Sequence, residues 1–297
     1  MPRPADWFDP VSPPPPEGAG PDLPPGRWRA LAADPRARAA SGLLLAILAF
    51  CVLGPLRAPY AAVHLGAGYR PPSAAHWFGT DALGRDLFAR TAVGGRISLS
   101  VGALAAVLDL GVGAVVGAAA GWAGGALDAA VMRAVDVLYG IPFLLVAILL
   151  LALLGPGLPA LVLAIALVNW LGMARLVRGQ VRQLRTEPYV VAAAALGRPG
   201  PEVVRRHVLP ALVGPGLAWL SFNVPSAIFL EAFLSYLGLG VQPPVPSWGS
   251  LIADGAQTFQ LHPYAFAFPA GALCLTMAAL YLGSDALRDA LDPRRGP

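Results

Sequence analysis

An all-α membrane protein with six spans is what this sequence predicts, on three observations. The 297 residues are 56% hydrophobic and only 13% charged, against roughly 25% charged in a soluble domain. The mean hydropathy is +0.62. Six apolar stretches recur along the chain, at residues 40–56, 97–120, 137–154, 158–173, 212–237 and 264–282. Most approach the ~20 residues that cross a bilayer as a helix. They lack the alternation of barrel strands, and lipid leaves no other way to satisfy a backbone. Finally, the arginines are sorted: with the N-terminus inside, sixteen fall in the inner segments and five in the outer ones. That asymmetry puts both termini in the cytoplasm.

Residues 1–40 come first, a proline-rich stretch that includes the run Pro13–Pro16. It reads as a polyproline-like cytoplasmic tail. It has no signal-peptide pattern, so the first span is expected to be an uncleaved anchor. Residues 41–96 hold that span and an external loop. Residues 97–285 hold the other five spans, and 286–297 form a second cytoplasmic tail. The third and fourth spans are joined by a tight turn at Gly155-Pro156-Gly157.

Composition excludes several functions. All 21 basic residues are arginine, so a phosphate-binding loop of the Walker type, which needs lysine, is absent from this chain. The pI near 9.4 does not signal nucleic acid, because the arginines flank apolar spans and do not line one soluble face. Cys51 and Cys274 lie in apolar stretches and read as packing thiols. The histidines at 64, 76, 207 and 262 show no ligand spacing, so neither a metal nor a catalytic constellation is expected.

The polar loop before the fifth span, residues 186–210, has internal order. The alanine run 192–195 favours helix, and Gly197 suits a helix end that turns through positive φ. Gly200-Pro201 then starts a second short helix, which Leu209-Pro210 closes. An ordered knob of this kind suggests a docking surface.

Within the spans, Asp109 falls near the middle of the second. There an ionised carboxylate costs about 2.5–3.5 kcal/mol, so a hydrogen-bonded carboxyl at a helix contact is the favoured reading and a place on a translocation path the other. Asn169, Ser221 and Asn223 suit either a path or interhelical hydrogen bonds. Glu231, near the outer end of the fifth span, can cap a helix, tie down the outer loop or meet a substrate. Gly113, Gly117 and Gly121 admit a close helix neighbour. Pro142, Pro225 and Pro269 are expected to bend their helices. Thr80 or Asp81 can cap a short helix, and Arg85 can pair with Asp81 one turn away.

Three segments together resemble one family. Residues 191–210 are similar to the loop Glu-Ala-Ala, three residues, Gly, about nine residues, Leu-Pro of ABC-importer permeases, with Ala192, Ala193, Gly197, Leu209 and Pro210 on the pattern. Tyr189-Val190 and Arg206-His207-Val208 extend the likeness to the dipeptide/oligopeptide branch. The segment His76-Trp77-Phe78-Gly79-Thr80-Asp81-Ala82-Leu83-Gly84-Arg85-Asp86 resembles the branch's outer signature. So does Glu231 to Pro244 with Pro246-Ser247-Trp248-Gly249. The resemblance covers nearly all of residues 41–292 and implies the MetI-like permease fold of type I ABC importers in a bacterial inner membrane. It implies a second, homologous permease subunit, two cytoplasmic ATPase subunits that bind ATP and Mg, and an extracytoplasmic substrate-binding protein. The loop would be the coupling helix, seated on an ATPase subunit. One departure stands out: Val191 holds the position of the family's glutamate, and Ala194 replaces a frequent charge, which leaves docking to an apolar alanine face. A peptide cargo is implied, with nickel or another small solute as the alternative. From another class, a secondary transporter would need more ionisable groups in its spans.

Overall fold

The structure, a computed structural model, describes residue 29 and residues 31–291; most of the proline-rich tail and residues 292–297 lie outside the described residues. Helix α1 (Pro35–Leu53) opens on Asp34, whose carboxylate accepts from the Arg36 amide at 2.7 Å. The first helix therefore begins about five residues before the expected boundary at residue 40. A short 3₁₀ turn, Gly54–Leu56, follows it. Helix α2 (Leu87–Ala123) is continuous over 37 residues. Next come α3 (Gly125–Tyr139), α4 (Phe143–Leu154) and α5 (Leu158–Leu184). The loop knob consists of α6 (Pro188–Ala195), α7 (Gly200–Val203), a π turn at Val204–Val208 and α8 (Leu209–Ala211). Helix α9 (Val213–Tyr236), α10 (Trp248–Gln257) and α11 (Pro263–Leu291) complete the chain. Among the described residues the one β feature is a single antiparallel bridge between Thr80 and Asp86.

Five helices, α1, α2, α5, α9 and α11, are long and apolar enough to cross a membrane. The sixth crossing is the pair α3 and α4, bent by 87° at its break. The expected third span, 137–154, is thus a straight α4 preceded by a separate half-helix. Pro142 lacks an N–H to continue the α3 ladder, and Gly140 closes α3 by donating back to Asp136, Val137 and Leu138.

Two expected boundaries move because arginines are helical. Helix α2 starts at Leu87, ten residues ahead of the apolar run, and carries Arg90 and Arg96 inside it. Helix α5 runs on to Leu184, past Arg175, Arg178 and Arg182. A hydropathy window stops at a charge, whereas a helix continues while the charge is paired. The expected tail at 286–297 likewise begins as helix, because α11 runs to Leu291.

Helices α2 and α5 make the most extensive packing in the bundle. The glycine row 113, 117, 121 explains it. A Cβ on Gly117 would sit 2.4 Å from the Ala174 carbonyl oxygen, and one on Gly121 2.9 Å from that of Arg178. The two backbones touch, which only small residues allow. Two apolar cores are stacked along this pair. One holds Val101, Ala105, Leu161, Ile165, Ala227 and Leu234. The other, toward the knob, holds Ala118, Met173, Val177, Val181 and Leu212.

Candidate functional site

The knob is built against the end of α2. Val190, Ala193 and Val203 are buried around Trp122, so one face of α6 and the Val203 side of α7 are fixed to the membrane bundle. Helix α6 ends as its sequence requires. Gly197 has φ +78°; its amide donates to Ala194 and the Arg198 amide to Ala193, a Schellman arrangement in which glycine carries no Cβ penalty. Burial and the neighbouring Glu187 push the Tyr189 phenol above its usual range. The opposite face is open: Tyr189, Val191, Ala192, Ala194, Ala195 and Leu196 are all exposed, Leu196 to 81%. Behind it, Glu202 joins Arg198 at 3.4 Å and Arg206 at 3.3 Å. Leu209 and Pro210 lie exposed in α8. The result is an apolar, charge-free ridge with paired charges beside it.

The broken span faces a cleft of about 520 Å³. Its walls are the break Leu138–Phe143, residues 168, 169, 171 and 172 of α5, and Trp219, Phe222, Asn223 and Ser226 of α9. Since residues 168–172 lie between Ile165 of one core and Met173 of the other, the cleft sits at mid-depth in the bundle. Asn169 and Asn223 are both on its wall. Asp109 is not; it is fully buried behind the wall, where Oδ2 accepts from Asn223 Nδ2 and, at 3.4 Å, from Trp219 Nε1.

Glu231 lies elsewhere. It is fully buried and accepts from Ser235 Oγ at 2.7 Å. It faces Ser98 of α2 and Ser247 at the start of α10. Helix α10 begins with a capping box between Ser247 and Ser250. Its Trp248 is buried, with Nε1 donating to the Thr91 carbonyl at 3.0 Å and its amide to Ser98 Oγ at 3.2 Å. A Cβ on Gly249 would meet the Ala232 carbonyl oxygen at 2.1 Å. Of the readings open for Glu231, the geometry fits the one that ties down the outer layer, and it leaves Glu231 off the cleft.

The outer signature is likewise spent internally. Thr80 Oγ1 donates to the Ala67 carbonyl at 2.7 Å and accepts from the Arg70 amide at 2.8 Å. Asp81 caps no helix; it accepts from the amides of Leu83 and Arg85, and pairs with Arg85 Nε at 2.6 Å and Arg90 Nε at 3.3 Å. The Asp81–Arg85 pair is therefore largely shielded rather than exposed. Asp86 is the cap, for α2, accepting from Ala89 at 2.9 Å and meeting His76 Nδ1 at 2.8 Å. Gly79 and Gly84 both have positive φ and abut the carbonyls of Arg70 and His64. In the same outer layer, burial pushes the Asp254 carboxyl up despite Arg90 and Arg85 nearby. Among the described residues no group of three His, Cys, Asp or Glu is placed to hold a metal.

Sequence reasoning missed the ion pairs that hold α3 to α5. Arg178 grips Asp128 with both Nε and Nη2, and Arg175 Nη2 meets Asp136 at 2.8 Å while lying 4.2 Å above the Tyr139 ring. The signal was present as Asp128 and Asp136, eight residues apart on one helix face.

The geometry combines a multi-pass bundle, a mid-depth cleft and an exposed apolar ridge at one end. Residues 113–297 match the family described as binding-protein-dependent transport system inner membrane component. The chain is 45% identical to the dipeptide transport system permease protein DppC of Bacillus subtilis, covering 90% of this chain and 84% of the relative. It is 40% identical to the oligopeptide transport system permease protein OppC of Escherichia coli K12, over 87% of each. It is 39% identical to the glutathione transport system permease protein GsiD of Pectobacterium atrosepticum, over 75% and 74%. The chain belongs to the inner membrane component family of binding-protein-dependent transport systems.

Proposed function

We propose that this chain is a permease subunit of an ATP-driven importer of di- and oligopeptides. Its named relatives carry dipeptides, oligopeptides and glutathione, all of them peptides, and this favours peptide over nickel as cargo. In this reading the chain pairs with a second permease subunit, and an extracytoplasmic binding protein delivers the peptide. Two ATPase subunits bind ATP and Mg, and α6 rests on one of them. The arginine asymmetry supports a cytoplasmic knob and cytoplasmic termini.

The observation that carries the reading is the knob itself. One face of α6 is locked to Trp122 at the end of α2, and the other is an unpartnered apolar ridge. Push on the ridge, and the force reaches α2 and α5 directly. With Val191 and Ala194 in place of charges, the ridge docks by shape and apolar burial. The cleft lined by Asn169 and Asn223 is the segment of the path that this subunit contributes. Asp109 holds Asn223 in place from behind.

The test is reconstitution. The chain, co-purified with its partner subunits and placed in liposomes, should take up labelled peptide only with ATP inside and the binding protein outside. Uptake driven by a proton gradient without ATP would sink the proposal in favour of a secondary transporter. ATP-dependent uptake of nickel but not of peptide would move the cargo and leave the mechanism.

A further inference from the structure

A second cavity, of about 340 Å³, lies between the end of α1 and the start of α2. Ala49, Phe50, Leu53, Gly54, Arg57, Trp77 and Phe88 line it. Phe88 stands at the opposite end of the 37-residue α2 from Trp122, so this groove and the docking ridge are at opposite boundaries of the bundle. Its floor is apolar and aromatic, with Phe88 edge-on to both Phe50 and Trp77. From it an exposed apolar face runs down α1 through Val52, Leu48 and Leu45. At its mouth stands Arg57. The guanidinium lies 3.9 Å from the Trp77 ring centroid, and Nη2 donates to the carbonyls of Ala74 and Ala75 at 2.8 and 3.3 Å. These contacts hold the cation over the groove, and among the described residues Nη1 and Nε make no hydrogen bond. Among the described residues no acidic side chain lines it.

We infer that this groove binds an anionic phospholipid, with its phosphate on Arg57 and an acyl chain along Leu53, Phe50 and Ala49. The argument is charge complementarity joined to position. A lone arginine beside a half-exposed tryptophan, above an apolar channel that continues onto a lipid-type helix face, matches the layering of a lipid at a membrane boundary. The phosphate satisfies the free donors of Arg57 by charge-assisted hydrogen bonds. The chain length of α1's exposed face suits a tail rather than a soluble solute. The bound lipid would add to the contacts that already fasten α1 to α2 beside the turn at Gly54–Leu56.

Native mass spectrometry of the assembled complex, stripped of lipid and then titrated with phosphatidylglycerol or phosphatidylethanolamine, tests this. Wild type should retain phosphatidylglycerol in preference, and Arg57→Gln should weaken that by about tenfold, the loss of one charge-assisted contact. Arg57→Lys should keep part of the preference. Ala49→Trp, which fills the channel without touching the cation, should lower binding of both lipids. Equal retention of the two lipids by wild type, or unchanged phosphatidylglycerol binding in Ala49→Trp and Arg57→Gln, would overturn the inference. So would a photo-crosslinker at position 49 that couples to a protein subunit and not to lipid.

Discussion

Arg96 Nε donates to the carbonyl oxygen of Cys51 at 2.6 Å, the carbonyl left without an i+4 donor by Pro55. A proline near a helix end removes one N–H, and in a bilayer no water replaces it. Here the replacement comes from another helix, with Arg96 Nη2 also reaching the Val52 carbonyl at 2.5 Å. The same device recurs deeper in the bundle. Pro225 leaves the Ser221 carbonyl free, and Ser284 of α11 donates its hydroxyl to it at 2.5 Å.

Arg96→Met should therefore destabilise the protein in detergent by about 1–3 kcal/mol, the cost of an orphaned polar group. In a Pro55→Ala background the helix can supply its own N–H, so the same substitution should cost less. Thermal unfolding of the four proteins of this cycle measures the difference. Additive effects would show that Arg96 does not stand in for the missing amide.

Gly197→Val and Gly197→Asn separate conformation from packing. A Cβ at Gly197 meets nothing within 4 Å, so the penalty comes only from φ, about 1–2 kcal/mol for valine. Asparagine tolerates that region. ATP-dependent uptake should fall in Gly197→Val with ATP hydrolysis retained, and Gly197→Asn should be near wild type. Equal uptake by all three would remove the coupling role of this turn.

Asp109→Asn and Asp109→Leu should part company. The amide of asparagine can turn its oxygen toward Asn223 and Trp219, so stability and uptake should stay close to wild type. Leucine orphans both donors and should cost about 1–3 kcal/mol. A large uptake defect in Asp109→Asn with normal stability would give the negative charge itself a part in transport.

Gly117→Val drives a methyl into the Ala174 carbonyl region, already 2.4 Å from a Cβ. It should cost about 1–3 kcal/mol, as overpacking of a tight contact does. Gly111→Ala, with open space around it, is the control. Midpoints measured by size-exclusion fluorescence after heating should fall for the first and not the second.

Asp128→Ala should loosen α3, because Arg178 then faces a polar, partly buried gap. The exchange Asp128→Arg with Arg178→Asp should recover part of the loss. Protease accessibility of residues 125–139 reads this, and no change in Asp128→Ala would make the pair incidental.

How much of this was written in the residues depends on the range of the interaction. The knob was legible because its signals are local: an alanine run, a glycine at positive φ, a proline at a helix start. Its geometry follows from those few positions. The start of α2 and the end of α5 were misplaced because Arg90, Arg96 and Arg178 sit in helix with partners in Asp81, Cys51 and Asp128, each dozens of residues away or across a turn. The break before α4 needed Pro142 and Gly140 to be read as a stop, where the apolar count alone suggested continuity. Asn169 and Asn223 could be named from their polarity in a span. Their shared cleft emerges only when α5 and α9 are set side by side.

Helix α2 has no proline and no interruption from Leu87 to Ala123. At 1.5 Å per residue it is a strut about 55 Å long, so a tilt of about 5° at one end displaces the other by about 5 Å. Its knob end carries Trp122, and its far end carries Phe88 and the Asp86 cap that closes the outer layer. The two ends of the bundle are thus joined by one stiff rod, and a small tilt of the helix at the knob is magnified at the Asp86 end as leverage.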